Sequence, residues 1–100
     1  MSVHVATEFK TRNHYADGLI AALAEALPDS LSHDGCEAIS LRRDQDDPNH
    51  VVSFTQWTTR KHYEDYLAWR TEQGMTDDVG EMLTEPMAIT YFDEVIKVAR

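Results

Sequence analysis

Residues 35–57 read GCEAISLRRDQDDPNHVVSFTQW. This stretch is two strands joined by an acidic turn. Cys36 to Arg43 carries Ile39 and Leu41 on one face and Ala38 and Ser40 on the other. His50 to Trp57 is rich in β-branched and aromatic residues, the composition of a strand. Between them DQDDPN supplies Asp, Pro and Asn, which favour turns and interrupt a ladder. A hairpin is the simplest join for strands so close in sequence. At Trp57 the strand pattern stops and a helical one begins.

Upstream, Ser2 to Lys10 alternates with period two. Val3, Val5, Thr7 and Phe9 face one way, and His4, Ala6 and Glu8 the other. Thr11 to Asn13 is polar, and Thr11 or Asn13 is expected to cap a helix. Tyr15, Leu19, Leu23 and Leu27 then recur every fourth residue with Ile20 and Ala24 beside them, an amphipathic helix. Pro28 is expected to end it. Residues 29–34 form a connection into Gly35.

Downstream, Thr58 or Thr59 caps a second helix that Gly74 ends. Tyr63, Leu67 and Arg70 share one face of it, with Tyr66 and Trp69 close by. Thr76 to Thr84 reads as a short further helix weakened by Gly80. Pro86 opens the last strand, MAITYFDEVIKV over residues 87–98. It is apolar on both faces: Met87, Ile89, Tyr91 and Val95 on one, Ala88, Phe92, Ile96 and Val98 on the other. Such a strand needs cover on both sides.

The order strand, helix, strand, strand, helix, strand predicts an α+β fold of the split βαβ, ferredoxin-like kind. It has a four-stranded antiparallel sheet with its helices on one face. No repeat, linker or low-complexity run divides the chain, so one domain over residues 1–100 is expected. The face away from the helices carries Val52, Phe54 and half the apolar residues of the last strand. A bare apolar sheet face calls for a partner. A homodimer with the sheets face to face uses one patch twice.

Composition bounds the function classes. The chain has 100 residues, 42% of them apolar, which is enough for a modest core. Eighteen acidic residues against nine Lys and Arg leave a net charge of −9. That charge argues against nucleic acid and anionic membrane surfaces as partners. One cysteine excludes an internal disulfide framework. The start does not resemble a signal peptide, and no apolar run approaches the ~20 residues of a membrane span, so a soluble cytoplasmic protein is expected.

Metal motifs fail on their residues. Asp44 and Asp46 resemble the start of an EF-hand loop, but its sixth place is Asn49 instead of Gly and its twelfth is Thr55 instead of Glu. There is no HExxH, no paired Cys spacing and no glycine-rich phosphate loop. No metal and no cofactor is expected. Cys36, in a strand beside Gly35, reads as a structural thiol.

With these residues in place the chain resembles the antibiotic biosynthesis monooxygenase-type domains, which are dimeric α/β barrels. The resemblance rests on the opening strand, Gly35-Cys36 leading into the second strand, the short acidic turn, the third strand closing on Trp57, the helix after it, and the strand after Pro86. It implies the ferredoxin-like fold, a homodimer, and a pocket in each subunit between sheet and helices. Some members of the family oxidise phenols or quinols with molecular oxygen and no cofactor, others degrade haem, and many have no established activity. Fold alone does not choose among these, so the residues must.

Trp57 shares a strand face with Thr55, Ser53 and Val51. Beside the indole, small Ser53 and Thr55 leave room for an aromatic ligand to stack; the plain alternative is a core Trp. Tyr63, Tyr66 and Arg70 project from the helix over this face. An Arg among apolar residues either holds a phenolate or carboxylate, lies on the surface with its stem along apolar groups, or pairs with Tyr66 or Glu72. The Tyr63 hydroxyl either orients a substrate oxygen or reaches solvent from the core. His62 points roughly 100° away around the helix, His4 lies on the opposite sheet face, and His14, His33 and His50 sit at element ends and are expected to be solvated. Relatives often place a His where Tyr66 stands, so the covering helix lacks an evident base.

Haem-degrading relatives use an Asn on the first strand, a Trp on the second helix and a later His. Here the only Asn residues are Asn13 and Asn49, Tyr66 stands at the Trp position, Trp69 comes most of a turn later, and no His follows His62. This disfavours haem degradation. The reading is a cofactor-independent monooxygenase-like protein acting on an aromatic, phenolic or quinol-type small molecule. Arg70 and Tyr63 are its catalytic candidates, and Trp57, Ser53, Thr55 and Tyr66 its substrate-binding candidates. The alternative is a non-catalytic ligand-binding or regulatory dimer of the same fold.

Overall fold

The hairpin forms as its sequence dictates. In the computed structural model, which describes all 100 residues, β2 (Cys36–Arg43) and β3 (His50–Trp57) pair antiparallel, and Leu41 lies opposite Ser53. The turn between them is held by the Asp44 carboxylate, which accepts from the Asp46 N–H at 2.8 Å. β1 (Val3–Lys10) pairs with β3 on one side and with β4 (Ala88–Asp93) on the other, giving the order β2-β3-β1-β4 with every neighbour antiparallel. This is the ferredoxin-like α+β sheet that the element order predicts.

The period-two pattern decides what each face does. Val5, Thr7 and Phe9 of β1 lie opposite Thr55, Ser53 and Val51 of β3. The helices α1 (Ala16–Ser32), α2 (Arg60–Glu72) and α3 (Met75–Glu81) cover this face. Two clusters form beneath them. One joins Phe9, Leu19, Val51, Val79 and Leu83; the other joins Val5, Trp57 and Tyr63. On the opposite face Phe54 is 40% exposed and Phe92 52%.

Three boundaries differ from the sequence expectation. α1 starts at Ala16, and neither Thr11 nor Asn13 caps it. Thr11 is instead drawn into the sheet: its N–H donates to the Asn49 carbonyl at 2.8 Å and it bridges to Leu83. The Asn13 carboxamide accepts from Asn49 Nδ2 at 2.9 Å. Pro28 does not end the helix, which continues to Ser32. A Pro removes one backbone bond, but the turn beyond it is tied by Ser30 Oγ, which donates to the Ala26 carbonyl at 3.1 Å.

The last strand stops at Asp93, five residues before the apolar pattern ends at Val98. The ladder explains this. Asp93 pairs with Val3, the first residue of β1, so the continuing chain meets no further partner strand. Val95, Ile96 and Val98 are accordingly more than four-fifths exposed. No helix is long and apolar enough to cross a membrane.

Two details fix the approach to α2. Gly35 adopts φ +84°, in the left-handed region that favours glycine, and its carbonyl accepts from the Thr58 N–H at 2.8 Å. Thr59 then caps α2, accepting from the His62 N–H at 3.2 Å.

Candidate functional site

A half-open cavity lies between the sheet and the three helices. β3 contributes Ser53, Thr55 and Trp57 to its wall, and α2 contributes Tyr63, Tyr66 and Arg70. All six candidates read from the sequence therefore line one cavity. Most of the remaining lining is apolar, from Phe9, Leu23, Ile39, Leu41 and Val79 among others. The cavity measures about 90 Å³, below the ~150 Å³ of an engineered cavity that holds benzene. Met75 and Met87, unbranched and adaptable, are among the residues of its wall. A second groove of about 430 Å³ passes Gly80, Glu85 and Pro86 beyond α3. It carries neither an aromatic ring nor a cation, so the chemistry concentrates in the first.

The aromatic wall is a packed cluster. Trp57 is fully buried. Its ring centroid lies 5.0 Å from that of Tyr66 and 5.6 Å from that of Tyr63, within the range of favourable aromatic pairing. The indole N–H donates to Thr55 Oγ1 at 2.8 Å, which fixes the ring plane. The Tyr63 hydroxyl lies 3.5 Å from Thr7 Oγ1. Burial pushes its pKa up, only partly offset by that hydrogen bond. Tyr63 therefore stays a neutral phenol over the working pH range.

Arg70 is buried, with 7% of its surface exposed. This removes the surface reading of its side chain. It pairs with Tyr66 and not with Glu72: Nε donates to Tyr66 Oη at 3.2 Å. Nη2 donates to Ser30 Oγ at 2.9 Å and to the Ala26 carbonyl at 3.1 Å, and Nη1 to Gln73 Oε1 at 3.1 Å. All four acceptors are neutral, and no carboxylate forms an ion pair with it. A buried cation without an anion is costly unless hydrogen bonds or a ligand compensate it.

The residues 2–76 match the family model described as antibiotic biosynthesis monooxygenase. The chain belongs to that family. Among solved structures, it is similar to Rv0793 from Mycobacterium tuberculosis at 23% identity, covering 99% of this chain and 100% of that one with a TM-score of 0.84. It is similar to SnoaB, a cofactor-independent oxygenase from Streptomyces nogalater, at 15% identity, with 99% and 98% covered and a TM-score of 0.84. A conserved protein of Methanosarcina mazei Go1 matches at 10% identity, with 92% and 91% covered and a TM-score of 0.83. At these identities the likeness to each structure is one of fold. No curated protein matches the chain.

For this antibiotic biosynthesis monooxygenase-family chain, three polar neighbours of the site escaped the sequence reading. Ser30 accepts from both Arg70 and the Tyr66 hydroxyl, the latter at 2.7 Å. Its one signal was a small polar residue on the apolar stripe of α1, four positions after Ala26. Gln73 gave none. His33, expected to be solvated, packs its ring 5.4 Å from Tyr66 and 5.3 Å from Trp69, behind the cavity wall. His50, also expected to be solvated, bridges Asp44 at 2.9 Å and Glu8 at 3.0 Å on the far sheet face. His62 is half-buried against Gly35 and Thr59, outside the cavity.

Proposed function

We propose that this chain is a cofactor-independent oxygenase acting on a small aromatic molecule of the phenolic or quinol class. The observation that carries the reading is Arg70: a buried guanidinium without a carboxylate partner in the wall of an apolar, aromatic cavity. A phenolate or enolate oxygen supplies the missing charge. Guanidinium hydrogen bonds to an anion are stronger than those to neutral oxygen, so Arg70 lowers the pKa of a bound phenol or enol. The anion is the electron-rich form that reduces oxygen. Hydroxylating a ring C–H of a hydroquinone and oxidising it to the quinone, with the second oxygen atom released as water, takes four electrons, and the substrate supplies all four. Tyr66 offers a ring face for stacking with Trp57 packed behind it, and Tyr63, neutral and a donor, orients a second substrate oxygen. The apolar lining keeps water from the anion. SnoaB, a cofactor-independent oxygenase, shares the fold.

The unit we infer is a homodimer with outer sheet faces paired. Phe54, Phe92 and the exposed apolar tail past Asp93 support it. Oxygen uptake by metal-free protein over a panel of hydroquinones and polyphenols tests the activity.

One observation favours a second reading, a binding or regulatory dimer that keeps the cavity without turnover. No Asp, Glu or His lines the cavity, so proton removal rests on the acidity of the ligand itself. Saturable binding of such phenols with no oxygen uptake would select this second reading.

A further inference from the structure

The guanidinium of Arg70 is held firmly except along one edge. Nε and Nη2 are committed to Tyr66, Ser30 and Ala26, and one of its faces lies over the Trp69 ring, 4.5 Å from the centroid. Ser30 is itself buried, and the Ala26 acceptor is backbone. Nη1 is different. Its one acceptor is the carboxamide of Gln73, an exposed side chain at the C-terminal cap of α2. A guanidinium has five N–H donors. Four are used here, and the fifth, also on Nη1, has no acceptor.

We propose that Gln73 is the specificity gate of this site: its carboxamide oxygen is the acceptor that an anionic ligand oxygen displaces from the Nη1 edge of Arg70. This rests on reading the cavity as a ligand site with Arg70 as its cation. The exchange discriminates by charge. A neutral ligand oxygen trades one neutral acceptor for another and gains little. An anionic oxygen replaces a neutral bond with a charge-assisted one, about twice as strong. Displacement frees the second Nη1 hydrogen beside the one already without an acceptor, which suits a carboxylate or two neighbouring oxygens on one ring. The gate stands at an exposed helix end, so changing it leaves the packed wall of Trp57, Tyr63 and Tyr66 intact.

The test titrates wild type, Gln73→Ala and Gln73→Glu at neutral pH with 2-naphthoate and with neutral 2-naphthamide, using calorimetry. Wild type prefers naphthoate. Gln73→Ala binds naphthoate a few-fold more tightly, because its competitor is gone. Gln73→Glu places an internal carboxylate on Nη1 and weakens naphthoate by about tenfold or more, the scale of a charge-assisted bond. Naphthamide affinity shifts in the same direction in each variant but by less than naphthoate affinity, because its bond to Nη1 is not charge-assisted. Wild type without a preference for naphthoate overturns the Arg70 reading and the gate with it. A wild-type preference that Gln73→Glu leaves unchanged overturns the gate alone, as does an equal loss of naphthoate and naphthamide.

Discussion

Arg70 Nη2 donates to Ser30 Oγ at 2.9 Å across forty residues of chain, and this bond ties α2 to the end of α1. The serine oxygen is fully used. It donates to the Ala26 carbonyl and accepts from both Arg70 and the Tyr66 hydroxyl. Ser30→Ala strips an acceptor from two donors at a buried site. We predict a loss of about 1–3 kcal/mol, read as a lower urea midpoint at unchanged slope. A variant as stable as wild type would show that the network is not holding the helices together.

The Gly35 turn gives a second test. A Cβ added there would meet the His62 ring atoms and Cβ at 2.3–2.5 Å, on a backbone at φ +84°. Gly35→Ala therefore carries two penalties, the clash and about 1–2 kcal/mol of left-handed strain. In a double-mutant cycle, His62→Ala should recover the ring's share of the clash and leave the contact with Cβ and the strain. Additive losses would contradict the contact.

His50 sits between Asp44 and Glu8 on the outer sheet face. Hydrogen bonds to Asp44 and then Glu8 hold its pKa above the usual histidine value, and its own hydrogen bond holds Asp44 below the usual carboxylate range. The signs follow from linkage. The His50 contribution is fully present below the unfolded histidine pKa of ~6.5 and is lost as pH rises through the higher folded value. The Asp44 contribution is present above ~3.9 and is lost as pH falls through its lower folded value. Both groups are partly solvated, so the effect is a few degrees in Tm at most. Melting curves between pH 6 and 9 should fall for wild type relative to His50→Gln. Parallel curves would remove the pair from the account.

The sheet faces and the cavity wall were legible because strand alternation is strict. Once Trp57 faces the helices, Thr55, Ser53 and Val51 must, while Phe54 cannot. The helical stripe placed Tyr63, Tyr66 and Arg70 together for the same reason. Pro28 misled because its local penalty is met by the Ser30–Ala26 bond within α1 and by contacts from Arg70 of α2 that no window of α1 contains. The end of β4 misled because an apolar alternation is only a strand where a neighbour exists, and β1 runs out at Val3. Ser30, Gln73 and His33 gain their meaning from partners three to forty residues away.

Pairing of the outer faces predicts a dimer. Phe54 and Phe92 are already about half-buried, so covering the rest contributes roughly half of the ~1.5–3 kcal/mol of a fully buried side chain for each. Light scattering at micromolar concentration should give twice the chain mass of 11.4 kDa, and Phe54→Asp should shift it toward the single-chain value. A folded wild-type species at 11.4 kDa would contradict the pairing.

The central claim is that Arg70 makes this cavity a site for an aromatic anion that reacts with oxygen. Oxygen consumption by metal-free protein, followed across the hydroquinone and polyphenol panel for wild type and Arg70→Met, tests it most directly. The account predicts substrate-dependent uptake of one O₂ per molecule converted. Removing the charge should slow turnover by about 10²-fold, as for other groups that hold a developing anion, with the variant still folded by circular dichroism. No uptake with any member of the panel, or uptake that is the same in the folded Arg70→Met protein, would contradict it.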